Sequence, residues 1–162
     1  MHLATLTTEW RPEDFYYGII RGKLAGMCPG VIIIDNAGSI PVYNIAYASF
    51  IIRNTFSNYP GGTVHIICVH SEAAEGQNHL VVKARGHYFI GTDNGIFNLI
   101  LNSEPDEVIK IKYDGITDEL EIFARAASDI LSGKKMTDIG QVIDGISEKV
   151  PLRATIDKDV II

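Results

Sequence analysis

The sequence is short of most features that would assign it quickly. It has two cysteines, Cys28 and Cys68, with no Cys-x-x-Cys spacing and no Cys/His cluster. That argues against a zinc site and leaves both thiols expected free. No segment approaches the roughly 20 apolar residues needed to span a bilayer. No basic-then-apolar start with a small-residue cleavage site is present either, so the expected location is cytoplasmic, with no membrane partner. Lys and Arg total 14 against 20 Asp and Glu, a formal net charge of −6. The basic residues are scattered, with Lys134-Lys135 the one adjacent pair. Nucleic acid is therefore not an expected partner, because phosphate binding needs clustered cations. Neither a P-loop nor a Gly-x-Gly-x-x-Gly fingerprint occurs, and Ser71 lacks a Gly-x-Ser-x-Gly elbow. What remains is an ordinary globular composition, 46% hydrophobic and 21% charged over 162 residues, enough for one domain with a sizeable core.

Patterning along the chain alternates strands and helices. His2 to Leu6 reads as a short strand, and Pro12 suits the first turn of a helix reaching Met27. Val31-Ile32-Ile33-Ile34-Asp35 has the all-apolar, β-branched character of a strand buried on both faces. A helix is expected over 42–56, a turn at Tyr59-Pro60-Gly61-Gly62, and a strand from Thr63 to Val69. Leu80 to Ala84 and Tyr88 to Gly91 form a hairpin around Arg85-Gly86. A short helix over 96–101 and a strand over 108–113 follow. Asp118 with Glu121 three residues on has the form of a capping box for a last helix, which Gly133 closes. The pattern predicts an α/β domain: a mostly parallel central sheet flanked by helices, with an added antiparallel hairpin. The domain is expected to run over 1–154. Residues 155–162, ending Asp-Val-Ile-Ile, are expected to begin a linker or a further β-rich domain.

The stretch Ile66-Ile67-Cys68-Val69-His70-Ser71-Glu72 draws attention first. A run of β-formers stops in a polar loop, and ligands of open α/β sheets bind beyond the carboxyl ends of strands. His65 and His79 lie on strands and read as satisfied core or face residues.

Several segments together resemble one family. They are Leu6-Thr7-Thr8-Glu9-Trp10, Asp14 to Gly22, Ile40-Pro41-Val42-Tyr43-Asn44-Ile45, Tyr59 to His65, Gly91-Thr92-Asp93-Asn94-Gly95-Ile96, and Ile122-Phe123-Ala124-Arg125-Ala126-Ala127. In order and spacing they are similar to the N-terminal domain of the S-adenosylmethionine hydroxide adenosyltransferases, the family that includes the fluorinase and chlorinase. The resemblance implies S-adenosylmethionine (SAM) as substrate, no separate cofactor and no metal. It implies delivery of water or halide to the ribose C5′ with methionine leaving. It also implies a homo-trimer in which a neighbour's second domain completes the adenine site, so that an isolated N-terminal domain would be inactive.

Roles carry over residue by residue. Glu9 falls where the family has an Asp that holds the ribose hydroxyls, against the plainer reading of a solvated loop acid. Asp14 and Tyr16 fall where relatives approach the substrate, though Tyr16 equally suits the core. Tyr43 matches an aromatic against the ribose or sulfonium, as cation–π attraction would favour, or is a half-buried helix-start aromatic. Asn94 is a ligand contact or a turn residue. The hydroxide branch reads Asp-Pro-Gly-Val-Gly and then Arg after the third strand, with a later His before Ile-Phe-Ala. The matching positions here are His70, Gln77 and Asp118. Two readings follow. In one, His70 is a general base oriented by Asp118 across the pocket, giving SAM hydrolysis to adenosine and methionine with a variant catalytic set. In the other, the domain is a non-catalytic adenosyl-binding or assembly module, and Asp118 is only a helix cap. A halide nucleophile fits poorly, because Glu72 and Glu75 in the same loop would repel an anion.

Overall fold

A computed structural model describes residues 1–73 and 76–147. The expectations for 155–162, and for the end of the domain at 154, lie outside the described residues. The elements are β1 (Leu3–Thr8), α1 (Tyr16–Met27), β2 (Ile32–Ala37), α2 (Ile45–Thr55), β3 (Val64–Cys68), β4 (His79–Ala84), β5 (His87–Thr92), α3 (Ile96–Leu101), β6 (Glu107–Ile111), α4 (Glu119–Leu131) and β7 (Gly140–Val142). Single 3₁₀ turns at Phe56–Asn58 and Met136–Asp138 join them.

The seven strands form one sheet in the order β2-β1-β3-β5-β4-β6-β7. Pairings across β2, β1, β3 and β5 are parallel, while β4 runs antiparallel to both β5 and β6, and β7 antiparallel to β6. The α/β expectation and the hairpin are borne out, with Arg85 and Gly86 both at positive φ in the tight turn. The short β7 was not expected from sequence.

Strand alternation sends side chains to two cores. Leu6, Ile66 and Cys68 meet Ile20 and Leu24 of α1 and Phe123, Ala124 and Ala127 of α4. Ile67, Val69 and Phe89 meet Ala48 and Ile52 of α2 and Phe97 and Ile100 of α3. Each fully buried Leu, Ile or Phe contributes about 1.5–3 kcal/mol, more than a typical net hydrogen bond. The two clusters therefore dominate the stability of this three-layer domain.

Three expectations need correction. The Ile32-Ile33-Ile34 run is not buried on both faces: β2 is the sheet edge, with Ile32 48% and Ile34 37% exposed. Strand order, which a local apolar run does not encode, decides this. The first helix begins at Tyr16, because Pro12 lies in a turn where the Arg11 N–H donates to Asp14 Oδ2 at 2.9 Å. The second helix begins at Ile45 rather than at residue 42, because Tyr43 sits at φ +63 and cannot continue a right-handed helix. Its cap is Asn44, whose side chain accepts from the Tyr47 N–H.

Candidate functional site

Strand directions bring the loops after β1, β3, β5 and β6 to one end of the sheet. From β1 the chain moves outward to β2, then crosses back to β3 on the other side. The carboxyl ends of β1 and β3 are thus a topological switch point, where crevices form in open α/β sheets. Glu9 follows β1 and His70 follows β3 at that point.

The Glu9 carboxylate joins three segments. Its Oε2 accepts the Tyr43 backbone N–H at 2.7 Å and the His70 backbone N–H at 2.9 Å. Glu9 N–H itself donates to the Cys68 carbonyl at 3.1 Å, extending the β1–β3 ladder. Both Tyr43 (φ +63) and His70 (φ +50) are left-handed, an unfavourable state for a residue with a β-carbon. Each turn aims an N–H at the same oxygen, and such charge-assisted bonds are the strong ones. Their rings lie against each other at a tilt, with centroids 4.4 Å apart and planes at 35°. Tyr43 is 57% exposed, so this pair forms an open aromatic surface rather than core.

The loop after β2 lies against the loop after β1. Ile40 N–H donates to the Thr8 carbonyl and Ser39 N–H to the Trp10 carbonyl. Gly38 permits this approach, since a β-carbon there would come within 2.5 Å of the Tyr17 hydroxyl. Tyr16 belongs to another aromatic group, its ring 5.5 Å from that of Trp10, the residue after Glu9, and 4.8 Å from that of Phe15. Asp14 is used in its own turn.

Asn94 is buried and structural in its bonds. Its amide donates to the Val69 carbonyl at 3.2 Å and the His70 carbonyl at 2.7 Å, while Oδ1 accepts from the Ile96 N–H. It therefore orients the His70 backbone. Neighbouring Asp93 accepts from both the backbone N–H and the hydroxyl of Ser147.

His70 and Asp118 are not brought together: no hydrogen bond or ion pair joins them among the described residues. The exposed Asp118 caps α4, accepting the Glu121 N–H at 3.0 Å, as the capping-box pattern indicated. The carboxylate that reaches the loop after β3 is the next one, Glu119. Ser71 Oγ donates to Glu119 Oε2 at 2.5 Å. Single-residue sequence reading missed Glu119, and His79 opposite it was read as a plain strand residue. Gln77 lies in the same loop. Both cysteines are free and buried. Burial, helped by the Glu119 and Glu9 carboxylates, pushes the Cys68 thiol well up, so it is no nucleophile. Among the described residues no group of three His, Cys, Asp or Glu side chains is placed to hold a metal, and no helix is long and apolar enough to cross a membrane.

The family model of the SAM hydroxide adenosyltransferase N-terminal domain matches residues 4–140. The chain belongs to this family. Among curated relatives, an (R)-S-adenosyl-L-methionine hydrolase from Methanocaldococcus jannaschii is 23% identical over 105 residues, covering 62% of this chain and 40% of the relative. One of the same name from Thermus thermophilus is 28% identical over 94 residues, covering 57% of this chain and 36% of the relative. The matches thus span about two fifths of the curated relatives' length. The crystal structure of an uncharacterized conserved protein from Thermotoga maritima superposes at TM-score 0.82 with 20% identity, covering 91% of this chain and 60% of that one. That of a conserved hypothetical protein from Thermus thermophilus gives 0.76 with 21% identity, covering 94% and 63%. These structures share the fold of this SAM hydroxide adenosyltransferase domain.

Proposed function

We infer that this domain belongs to an enzyme that hydrolyses SAM to adenosine and methionine. The observation that carries the reading is Glu9 at the β1/β3 switch point, anchored through Oε2 by two backbone amides. No hydrogen bond among the described residues uses its other oxygen, Oε1. Held this rigidly, Oε1 is an acceptor for the ribose hydroxyls, and the longer Glu keeps a role that the family gives to Asp. The Tyr43 ring, set against the His70 imidazole, offers a face for the cationic sulfonium.

In the reaction a water oxygen forms a bond to C5′ while the C5′–S bond breaks. The sulfur keeps the bonding pair as the thioether of methionine, and the water loses a proton. The sulfonium is already a good leaving group, so catalysis here is positioning and partial desolvation of the nucleophile. Of the two imidazoles at this end of the sheet, His70 and His79, His70 is the one beside Tyr43 and the Glu9 anchor, and it is assigned as the proton acceptor. Asn94, Glu9 and the adjoining Tyr43 ring orient it; Asp118 does not serve as its partner.

Assembly as a homo-trimer, with a neighbouring subunit completing the adenosyl pocket, belongs to the same reading. It is supported by large apolar side chains left exposed next to the site, namely Phe15, Val42, Tyr43, Tyr47 and Phe50. The second reading, ligand binding without turnover, is favoured by one fact: Asp118 and Asn94 are both engaged in structural hydrogen bonds. Incubating the full-length protein with SAM and separating the products by chromatography tests the enzyme reading. Adenosine and methionine in equal amounts are expected. Bound SAM recovered intact would leave the binding module.

A further inference from the structure

Glu119 sits in the first turn of α4, one residue past the Asp118 cap. Its two oxygens face the residues that leave β3 and enter β4. Oε2 accepts from the Ser71 hydroxyl at 2.5 Å, just after His70. Oε1 lies 3.7 Å from Nε2 of His79, the first residue of β4. That imidazole nitrogen is buried and has no hydrogen-bond partner among the described residues. A buried nitrogen in that condition calls for an explanation. Its ring stands edge-on to Phe123 of the same helix, centroids 5.2 Å apart. Thr92, the register partner of His79, closes the frame by donating from its hydroxyl to the Ser71 carbonyl.

We propose that Glu119 is the positioning residue of this site, tying Ser71 to α4 and thereby holding the adjacent His70 imidazole against the substrate. The inference rests on the hydrolase reading. The left-handed backbone of His70 persists only if its surroundings over-determine it. Glu9 holds its N–H and Asn94 holds its carbonyl. Glu119 and Thr92 hold the next residue by its hydroxyl and its carbonyl. Glu119 is thus the tie that connects this turn to a helix rather than to a neighbouring strand end.

The test uses the full-length protein and the variants Glu119→Ala, Glu119→Gln, Ser71→Ala and the double alanine variant. Two readouts are followed: steady-state adenosine formation from SAM, and backbone hydrogen exchange across residues 70–78. Glu119→Ala should lower kcat roughly 10- to 100-fold, the scale of a small misplacement, with KM changed less than about twofold. Exchange across the loop should accelerate. Glu119→Gln keeps an acceptor for Ser71 and should recover most of kcat. Ser71→Ala should match Glu119→Ala, and the double variant should be no worse than either. Unchanged kcat and exchange in Glu119→Ala would overturn the tie. So would a rise in KM alone, or Gln and Ala variants equally impaired. If the unmodified protein forms no adenosine, the hydrolase reading falls, and the exchange rates still decide whether Glu119 holds the loop.

Discussion

Two pairs of histidines in this chain make opposite use of the same strands. His65 and His87 lie inside the sheet face, and His70 and His79 lie at its rim. Thr5 Oγ1 lies 2.8 Å from His65 Nδ1, and His65 Nε2 lies 3.1 Å from His87 Nδ1, one hydrogen-bonded line across β1, β3 and β5. Phe56 and Phe89 pack around them. Burial, with the neighbouring His87, lowers the His65 pKa to about 3, and burial lowers that of His87. These imidazoles are neutral architecture. At the rim, His70 is held by its backbone while its ring lies tilted against the exposed Tyr43. His79 has a buried nitrogen facing a carboxylate. The interior imidazoles are hydrogen-bonded through the sheet, whereas the His79 Nε2 at the rim has no hydrogen-bond partner among the described residues.

The sharpest way to break that contrast is to remove the rim imidazole. His70→Ala should lower kcat by roughly 10²–10⁴, the range for a lost general base, while leaving the thermal midpoint nearly unchanged. A variant with wild-type turnover would move the proton acceptor elsewhere. Next in size is Glu9→Ala, which strips the anchor from two amides and the acceptor from the ribose. Calorimetric SAM affinity should fall about 10- to 100-fold, the worth of one or two charge-assisted bonds. Retained affinity would make Glu9 purely a loop brace.

The interior pair should behave in the reverse way. His65→Leu should cost about 1–3 kcal/mol in urea unfolding, because Thr5 and His87 lose their partner. Turnover per folded molecule should stay the same; a fall in kcat would erase the distinction. Acid titration of stability sharpens it further. An unfolded histidine titrates near 6.5, above the lowered folded value of about 3. Between those values the unfolded state holds more protons, so stability present above pH 6.5 declines progressively toward pH 3. The decline should be shallower in His65→Leu. The smallest effect belongs to Asp118→Ala. It should cost about 1 kcal/mol as a lost helix cap and alter kcat less than about twofold. A collapse of kcat would instead return Asp118 to the site.

The strands were legible because β3 and β5 are runs of β-branched and aromatic residues between turn signals, and the cap at Asp118 was legible because its spacing is local. The edge position of β2 was not, since it depends on which strands become neighbours. Nor was the start of α2, since Tyr43 takes a left-handed turn that Glu9 stabilises from elsewhere in the chain. The motif positions drew Glu9, Tyr43 and His70 into one site. Glu119 escaped notice because its meaning depends on Ser71 and His79, both remote in sequence.

The most direct measurement is hydrolysis of SAM by the full-length protein in heavy-oxygen water, with mass analysis of the nucleoside. The expected result is adenosine carrying one solvent oxygen at O5′, with methionine in equal amount. Intact SAM, or adenosine without the label, would contradict attack of water at C5′.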